Sequence, residues 1–506
     1  MEMPSHDLVV TGLSFLSALF VTIIGCVVFA VVVLFFIDIS QTKDAVRKNY
    51  PVLGRFRYLF SMLGEFFRQY LFAMDREEMP FNRAEREWID RAAKNHDNTV
   101  AFGSTKNLAT SGTAIFVNCP FPTLDEDAVE MQSLLIGPYC KTPYDAPSFF
   151  NISGMSYGAL STPAVRALSN GARMAGCWMN TGEGGLSPYH LEGGCDIVFQ
   201  IGTAKYGVRD EAGDLSDDKL REVAAHEQVK MFELKMSQGA KPGKGGILPA
   251  VKVTPEIAKI RGIAAGKDSI SPNRHPEIDN AEEMLDMLVH IREVTGKPVG
   301  FKAVFGSFGW LEELCRVIHE RGIESAPDFI TIDSGDGGTG AAPMALMDNV
   351  GLVVKEALPL VSDVLHQYNL RDRIKIVCSG KLVTPSEVAW AIAAGADFVT
   401  SARGFMFSLG CIQALKCNKN TCPTGITTHN KRLQKGLNPK DKAVKVANFC
   451  KNMIYEVQVI SHSCGVSRPR LMKRKHVRIM QDNGKSVPMD QLYPRPDVLK
   501  EYDKAA

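Results

Sequence analysis

The hydrophobic pattern opens with one long apolar run. From Leu8 to Ile37 the chain reads LVVTGLSFLSALFVTIIGCVVFAVVVLFFI, without a charged residue. About 20 apolar residues form a helix that crosses a bilayer, so the run predicts one transmembrane anchor over residues 8–37, after a tail of residues 1–7. A cleaved signal peptide is the alternative. It would carry positive charge before the run, where this chain has Glu2 and Asp7.

Basic residues follow the apolar run at once: Lys43, Arg47, Lys48, Arg55 and Arg57. This positive charge predicts that the rest of the chain faces the cytoplasmic side of the membrane. The next stretch, RFRYLFSMLGEFFRQYLFAM (Arg55–Met74), is aromatic on one helical face and basic on the other. It fits a helix on the membrane surface and equally a core helix of a soluble domain, and it belongs to a juxtamembrane linker over residues 38–98.

Between about residues 143 and 405, short apolar runs alternate with helix-like segments. The strand candidates are FFNIS (149–153), CWMNT (177–181), MFELKMS (231–237), VGFKAVF (299–305), FITIDS (329–334), IKIVCSG (374–380) and DFVTSA (397–402). Helix-like segments such as AEEMLDMLVHIREVTG separate several of them, which indicates parallel β–α–β units. Seven or eight units over this length favour an α/β fold of the (β/α)8 TIM-barrel type over a doubly wound sheet.

Nearly every strand candidate ends in glycine-rich or polar sequence. The stretches are GMSYGALS (154–161), NTGEGG (180–185), QGAKPGKGG (238–246), SGDGGTG (334–340), CSGK (378–381) and SARG (401–404). The carboxyl ends of barrel strands carry the active site, and the loops after the last two strands often bind a phosphate. The last three stretches are therefore candidates for a backbone cradle around a phosphate.

Composition adds little beyond a folded, intracellular character. The chain is 45% hydrophobic and 23% charged, with a formal net charge of +2, so no overall field points to nucleic acid. Its 12 cysteines are mostly scattered, several within apolar strand-like runs, where reduced and buried thiols are expected.

Two charged residues stand out against their surroundings. Lys302 lies inside the apolar run VGFKAVF, where it either snorkels from an edge or points a cation towards a bound anion. Glu183 is flanked by glycines in NTGEGG. It is either an ordinary surface carboxylate or a group for acid–base chemistry and substrate orientation.

Three cysteines, Cys411, Cys417 and Cys422, fall together in GCIQALKCNKNTCPTG, directly after the last glycine turn. Structural zinc requires four ligands, and no fourth cysteine or histidine has finger-like spacing. Three buried structural thiols are a second alternative. Irregular spacing, a proline after the last cysteine and nearby amide and basic groups favour an iron–sulfur cluster with three protein ligands.

With these motifs, residues of about 100–435 resemble the central flavin-binding barrel of glutamate synthases, and more closely the stand-alone FMN-binding glutamate synthase family proteins. The motifs are GMSYGALS, NTGEGG, KMSQGAKPGKGGILPAVKVTPEIAKIRG, VGFKAV, DSGDGGTGAAP and the Cys-x5-Cys-x4-Cys-Pro pattern. The resemblance implies an FMN-binding barrel over residues 99–435, followed by a helical extension and tail over residues 436–506. It also implies that the three cysteines hold a 3Fe–4S cluster.

The resemblance further implies roles for single residues. The FMN would lie on Gly154, Met155 and Ser156, with Asn180, Gln238 and Lys302 at its ring. Its phosphate would be held by Gly337, Gly338, Gly340, Ser379, Gly380, Arg403 and Gly404. The 2-oxoglutarate would bind Gln238, Lys241 and Arg261, and Glu183 would lie near the reacting carbon.

The implied reaction is the reductive amination of 2-oxoglutarate to L-glutamate, an oxidoreductase activity on CH–NH2 groups (EC 1.4 class). Electrons would come singly from a ferredoxin-like protein or a reductase. This sequence shows no glutaminase domain, so ammonia is expected from solution or from an amidotransferase partner. Lys244 replaces the acid of the family's PGEGG motif, which leaves open a related amine or keto acid, as in N-alkylglutamate synthesis. A membrane-anchored electron-transfer subunit is the third possibility.

Overall fold

A computed structural model describes residues 6–129 and 131–503 of the chain. The predicted tail of residues 1–7 lies mostly outside the described residues, as does the end of the extension 436–506. The chain divides into two compact units, Met1–Ala84 and Glu85–Ala506. The units are described separately below.

The first unit is helical. The helix His6–Ser40 contains the apolar run, and its part Val10–Ser40 is long and apolar enough to cross a membrane. In the described part of the chain it is the only such helix. A short helix, Ala45–Asn49, and a longer one, Leu53–Phe67, follow, and the latter continues as a π-helical turn over Arg68–Phe72.

The second unit contains a closed barrel of eight parallel strands, which confirms the predicted fold class. The strands are β1 (Phe150–Ile152), β2 (Met179–Asn180), β3 (Ile197–Ile201), β4 (Val229–Lys235), β5 (Val299–Val304), β6 (Phe329–Asp333), β7 (Lys375–Ser379) and β8 (Phe398–Ser401). Each strand pairs with the next along the chain, and β8 closes on β1 through the register Val399–Phe150. The strand β3 has no counterpart among the seven strand candidates of the sequence.

Helices surround the strands on the outside. The helices of the second unit are Arg83–Lys94 (which begins at the boundary), Thr162–Ala175, Pro188–Leu191, Asp217–Ala224, Pro255–Arg261, Ala281–Thr295, Gly309–Arg321, Val354–Gln367, Pro385–Ala394, Arg403–Ser408, Lys431–Gln434, Pro439–Ser463 and Met489–Leu492. The helix Thr162–Ala175 shows why these segments are helical, since the Ser161 hydroxyl accepts from the Ala164 amide and Gly176 ends the helix in the left-handed region. Its buried face packs against Pro439–Ser463, which completes the helical ring between β8 and β1.

Short antiparallel sheets flank the barrel. The hairpin Leu134–Ile136 with Tyr144–Ala146 packs on the amino end of the barrel, where Trp178, Phe329 and Phe398 form part of an apolar cluster with it. Further pairs are Ala114–Phe116 with Val477–Met480 and Ser486–Pro488, and Ile247–Leu248 with Ser269–Ile270. Because one end of the barrel is filled with apolar side chains, its polar interior lies at the carboxyl ends of the strands.

Candidate active site

A buried carboxylate organises the polar layer inside the barrel. Glu233 on β4 accepts hydrogen bonds from Asn180 Nδ2 at 2.9 Å, from Gln200 Nε2 at 2.6 Å and from Thr331 Oγ1 at 2.5 Å. These donors come from β2, β3 and β6, so one side chain connects four strands. An ionised carboxylate that accepts several hydrogen bonds fixes its donors in orientation.

Lys302 lies in the same layer and does not snorkel to an edge. Its ammonium group is 3.0 Å from the Asp333 carboxylate, and both side chains are buried. Burial alone would lower the pKa of Lys302, but the negative charges of Asp333 and Glu233 outweigh it and raise the pKa. Lys302 is therefore a permanent cation at the carboxyl ends of β5 and β6.

Glu183 is not a surface carboxylate. It lies in the loop after β2, and its Oε1 atom is 2.9 Å from Lys235 Nζ at the end of β4. Two glycines allow this position, because a Cβ atom on Gly202 or on Gly246 would lie 2.7 Å or 2.5 Å from a Glu183 oxygen. Burial raises the pKa of Glu183, but the charges of Lys235, Lys241 and Arg261 reverse this and lower it. Glu183 is therefore ionised at neutral pH and suits a base better than an acid.

Arg261 is a buried guanidinium at the end of the helix Pro255–Arg261. It donates to Ser269 Oγ at 3.1 Å and to the Tyr157 carbonyl at 3.3 Å, and it lies 5.1 Å from the centre of the Tyr206 ring. Among the described residues its Nε atom is buried without a hydrogen-bond partner. In the same part of the chain no carboxylate lies within ion-pair distance of Arg261. Its guanidinium group can therefore bind a carboxylate of a ligand.

Lys241 is the second buried cation of this pocket, with only 4% of its surface exposed. Burial and the neighbouring Lys235 lower its pKa to about 8, although Glu183 opposes them.

Gln238 joins the pocket to the glycine turns, because its Oε1 atom accepts from Lys235 at 2.8 Å and its Nε2 atom donates to the Gly338 carbonyl at 3.1 Å. The predicted substrate residues are thus brought together.

The loop after β1 approaches the polar layer closely. A Cβ atom on Gly154 would lie 2.9 Å from Asn180 Oδ1 and 3.0 Å from Gln200 Nε2. Met155 is buried and Ser156 is half-buried beside it. Only a residue without a side chain permits this approach of the backbone, as expected where a flat ligand lies on a loop.

The glycine turns predicted to hold a phosphate converge from β6, β7 and β8. Arg403 donates to the Asp336 carbonyl at 3.1 Å, and a Cβ atom on Gly338 would lie 2.9 Å from its guanidinium carbon. A Cβ atom on Gly337 would lie 2.7 Å from Asp333 Oδ1. Glycine is therefore favoured at positions 337 and 338, where a side chain would displace Asp333 or Arg403.

The turn after β7 is restricted in the same way. Gly380 has φ of +125°, and a Cβ atom there would lie 2.1 Å from Ser334 Oγ. In the turn after β6, by contrast, a Cβ atom on Gly340 would have no neighbour within 4 Å. Ser379 is buried, and the amide of Gly404 donates to a serine hydroxyl. The buried hydroxyls of Ser334 and Thr400 have no hydrogen-bond partner among the described residues. Unsatisfied hydroxyls beside glycine turns fit the phosphate and polar edge of FMN.

The three cysteines of the loop 410–425 influence one another's pKa, as expected of neighbouring thiols. The Gln413 amide donates to Cys411 Sγ at 3.4 Å, and Cys422 Sγ lies 3.3 Å from Thr424 Oγ1. Burial raises the pKa of Cys411 to about 12, whereas for Cys422 the hydroxyls and amides of neighbouring threonines outweigh burial and lower the pKa. Donors to sulfur fit a thiolate-ligated cluster.

The described residues, the three cysteines among them, contain no group of three or more histidine, cysteine or acidic side chains that could hold a metal ion. A buried lysine connects this loop to the rest of the site. Lys252 donates to the carbonyls of Ala159 at 2.8 Å and of Cys417 at 3.2 Å. It thus ties the cysteine loop to the loop after β1.

Sequence reasoning missed several residues of the site, among them Gln200, Glu233, Lys235 and Asp333. Glu233 and Lys235 occupy alternate positions of a buried strand, as do Thr331 and Asp333. Polar residues at a spacing of two within an otherwise apolar strand point into the barrel together. This spacing of two is the pattern in the sequence that could have identified Glu233, Lys235 and Asp333 as residues of the barrel interior.

Comparisons with known proteins agree on one family. A family profile described as a conserved region in glutamate synthase matches residues 115–467. The glutamate synthase large subunit-like protein YerD of Bacillus subtilis is 39% identical over 517 aligned positions, which cover 94% of this chain and 98% of that protein.

More distant relatives carry a longer chain. The archaeal-type glutamate synthase (NADPH) of Thermotoga sp. is 34% identical over 68% of this chain, and the match spans 64% of that protein. The archaeal glutamate synthase (NADPH) of Methanocaldococcus jannaschii is 34% identical, and the match spans 59% of it. Among solved structures, a flavocytochrome b2 variant with benzoylformate aligns at a TM-score of 0.47 and 15% identity, covering 83% of this chain and 86% of that one.

Proposed function

Because the chain belongs to the glutamate synthase family, we propose that it is an oxidoreductase that reductively aminates 2-oxoglutarate to L-glutamate. It uses FMN, a 3Fe–4S cluster, ammonia and electrons that arrive singly. The observation that carries this proposal is the pocket in which three buried cations, Lys235, Lys241 and Arg261, surround the carboxylate of Glu183.

The charge of this pocket suits a dicarboxylate. Three cations and one carboxylate leave two positive charges, and 2-oxoglutarate brings two negative charges. Arg261 offers a planar guanidinium without a carboxylate partner in the described part of the chain, which suits a two-oxygen contact with one end of the ligand. Lys241 offers a point charge for the second carboxylate.

The reaction balances with the groups available. Ammonia forms a bond to the keto carbon, the former keto oxygen leaves as water, and the resulting imine takes up two electrons and two protons. When bound, FMN supplies the hydride equivalent and the cluster supplies electrons one at a time. In this scheme Arg261 and Lys241 hold the substrate, Glu183 takes a proton from the incoming nitrogen at its carboxylate, and Lys235 Nζ orients Glu183.

The cofactors would be held by the predicted residues. Gly154, Met155, Ser156, Asn180, Gln238 and Lys302 would hold the flavin ring, and Gly337, Gly338, Gly340, Ser379, Gly380, Arg403 and Gly404 its phosphate. Support comes from the close approaches at Gly154, Gly337, Gly338 and Gly380 and from the hydroxyls of Ser334 and Thr400, which lack a partner among the described residues. Cys411, Cys417 and Cys422 would hold the cluster. Lys302 would favour negative charge on a reduced flavin ring.

The proposed location follows from the first unit. Residues 8–37 anchor the chain in a membrane, and the barrel of residues 99–435 faces the cytoplasmic side, where a ferredoxin-like protein or a reductase supplies electrons. The segment of residues 436–506 includes the helix that closes the ring around the barrel.

The test is a single turnover. The holoprotein is reduced anaerobically and mixed with 2-oxoglutarate, with and without ammonia, while flavin absorbance and glutamate are measured. We expect flavin reoxidation and glutamate formation only when both are present. In a Lys241→Met variant this rate falls at low substrate, whereas the exposed neighbour Lys244→Met behaves as the unmodified protein.

Two other outcomes would favour other functions. If methylamine replaces ammonia but ammonia has no effect, the chain makes an N-alkylglutamate, and the lysine in place of the family's acid at position 244 supports this candidate. If no keto acid perturbs the flavin spectrum, the chain is an electron-transfer component.

A further inference from the structure

The first unit contains a buried ionic contact at the end of its apolar helix. Asp38 is fully buried and accepts two hydrogen bonds from Arg47 at 3.0 and 2.7 Å and two from Arg55 at 2.8 and 2.7 Å. The Val52 amide donates to the same carboxylate at 3.0 Å. We call these four residues the Asp38 clasp.

The clasp fixes where the helix Leu53–Phe67 starts. Val52 and Arg55 stand at the beginning of the helix Leu53–Phe67, and Asp38 stands in the last turn of His6–Ser40. A Cβ atom on Gly54 would lie 2.9 Å from the Val46 carbonyl, so only glycine permits this packing. The start of the helix Leu53–Phe67 therefore lies beside the end of the apolar helix His6–Ser40.

That position corresponds to the headgroup region of a bilayer. The uncharged run of residues 8–37 is about 45 Å long as a helix, whereas the hydrocarbon core is about 30 Å thick. An apolar helix that fills the core thus ends within the headgroups, and the clasp holds the start of Leu53–Phe67 at the same depth.

Most of the apolar side of this helix is exposed. Phe56, Phe60, Phe66 and Tyr70 are 47%, 65%, 58% and 52% exposed, and Phe56 contacts Phe60 along the helix with ring centres 6.3 Å apart. At 100° per residue, the apolar positions between Leu53 and Leu71 cover about half of the helix circumference.

The opposite side of the helix is a narrow polar stripe. Arg57, Ser61 and Arg68 recur at spacings of four and seven residues and lie on one side of it. Arg57 and Arg68 are exposed, and so are Lys43 and Lys48 before the helix. Arg55 does not belong to this stripe: it lies across the helix, among the apolar positions, where the clasp uses its charge.

From these observations we propose that Leu53–Phe72 is a membrane-surface helix that binds an anionic bilayer, with its depth and rotation set by the Asp38 clasp. The apolar half enters the boundary between headgroups and acyl chains, while the four exposed basic side chains contact lipid phosphates. The occupant is lipid because the helix starts where a membrane-spanning helix ends. This surface rests on the membrane anchor and is independent of the reaction proposed for the barrel.

Two adjacent residues provide a matched test, since Phe60 lies on the apolar half and Ser61 on the polar stripe. Phe60→Trp and Ser61→Trp are made separately in the full chain, which is reconstituted into vesicles of phosphatidylcholine and phosphatidylglycerol with and without brominated acyl chains. The native tryptophans, Trp88, Trp178, Trp310 and Trp390, all follow residue 84 and give the background.

We expect the added fluorescence of Phe60→Trp to be quenched at least severalfold more by brominated lipid than that of Ser61→Trp. Adding Asp38→Asn should reduce this difference, because the amide cannot hold both arginines. Replacing phosphatidylglycerol by phosphatidylcholine should weaken the quenching in the Phe60→Trp variant.

Several results would overturn the proposal. Equal quenching at the two positions, or none at either, would show that the apolar half does not meet lipid. A blue-shifted but unquenched Phe60→Trp emission would mean that protein, such as a second copy of the chain, covers this side. Failure of the full chain to float with vesicles would remove the anchor on which the surface depends.

Discussion

The affinity of the pocket for 2-oxoglutarate should fall as the pH is raised through about 8. The perturbation acts on Lys241, because burial and Lys235 lower its pKa to about 8 in the free protein. Below this pH the ammonium group is charged and receives a substrate carboxylate. Above it the side chain must first take up a proton from solution.

The magnitude follows from proton linkage. If one proton is taken up on binding, the dissociation constant increases by about tenfold for each pH step above the pKa of the free protein, which is about 1.4 kcal/mol of binding free energy. Between pH 7 and pH 9 we therefore expect binding to weaken by about tenfold, since the first half of this range lies below the pKa. The contributions of Arg261 stay constant because arginine remains charged throughout.

Isothermal titration calorimetry of the oxidised holoprotein measures this effect. Titrations at each pH in two buffers of different ionisation enthalpy give both the dissociation constant and the number of protons taken up. We expect proton uptake near zero at pH 7 and close to one at pH 9. The Lys241→Met variant should bind weakly and show no such change, and Lys244→Met should retain it.

The reasoning would be refuted by a dissociation constant that stays level from pH 7 to pH 9. It would equally be refuted if the pH dependence persisted in Lys241→Met. Either result would mean that another group, or no group, takes up the proton on binding.

Three further predictions concern the base, the glycine turns and the cysteines. Glu183→Gln should lower kcat by about a hundredfold while KM for 2-oxoglutarate falls, because the variant loses a base and also a charge that repels the substrate; steady-state kinetics separate the two, and an unchanged kcat would exclude the base. Gly380→Ala should lose most of its flavin, since its Cβ would lie 2.1 Å from the Ser334 hydroxyl, whereas Gly309→Ala, outside the site and with nothing within 4 Å, should retain it. Flavin per chain is measured after purification, and equal retention would argue against a cradle. Cys422→Ser should lose iron and acid-labile sulfide but keep FMN, in contrast to the buried control Cys315→Ser, and metal analysis that finds full iron in the first variant would contradict the cluster assignment.

Much of the barrel could be predicted because its strands are short apolar runs that end in glycine. The strand Ile197–Ile201 escaped because its apolar run is brief and carries Gln200, whose partner Glu233 is far away in sequence. Lys302 stood out as a lone lysine in an apolar strand, but its pairing with Asp333 depends on two strands being neighbours in space.

The surroundings of Glu183 also depend on residues that are distant in sequence, so they could not be predicted from the local pattern. Its flanking glycines marked it in the sequence, yet the glycines that let it reach Lys235 are Gly202 and Gly246, which belong to other loops. Lys235 itself looked like the end of an ordinary strand. Local sequence thus marked Glu183 as a candidate, whereas the pairing of its charge with Lys235 required the closed barrel.

Burial of the Lys241 ammonium group, together with the nearby charge of Lys235, makes the ligand-free protein less stable than its fold allows. The folded pKa of Lys241 lies at about 8, below its usual value of 10.5, so the unfolded chain binds more protons between these values. Below pH 8 the buried ammonium group therefore weakens folding by about 3 kcal/mol, and this loss disappears as the pH rises towards 10.5. Small dicarboxylates should consequently stabilise the protein during purification, and Lys241→Met should melt at a higher temperature than the natural chain while binding the substrate only weakly. The same buried lysine would then lower the melting temperature of the ligand-free barrel and raise its affinity for a dicarboxylate. Thermal melts with and without the dicarboxylate would show both effects without an activity assay.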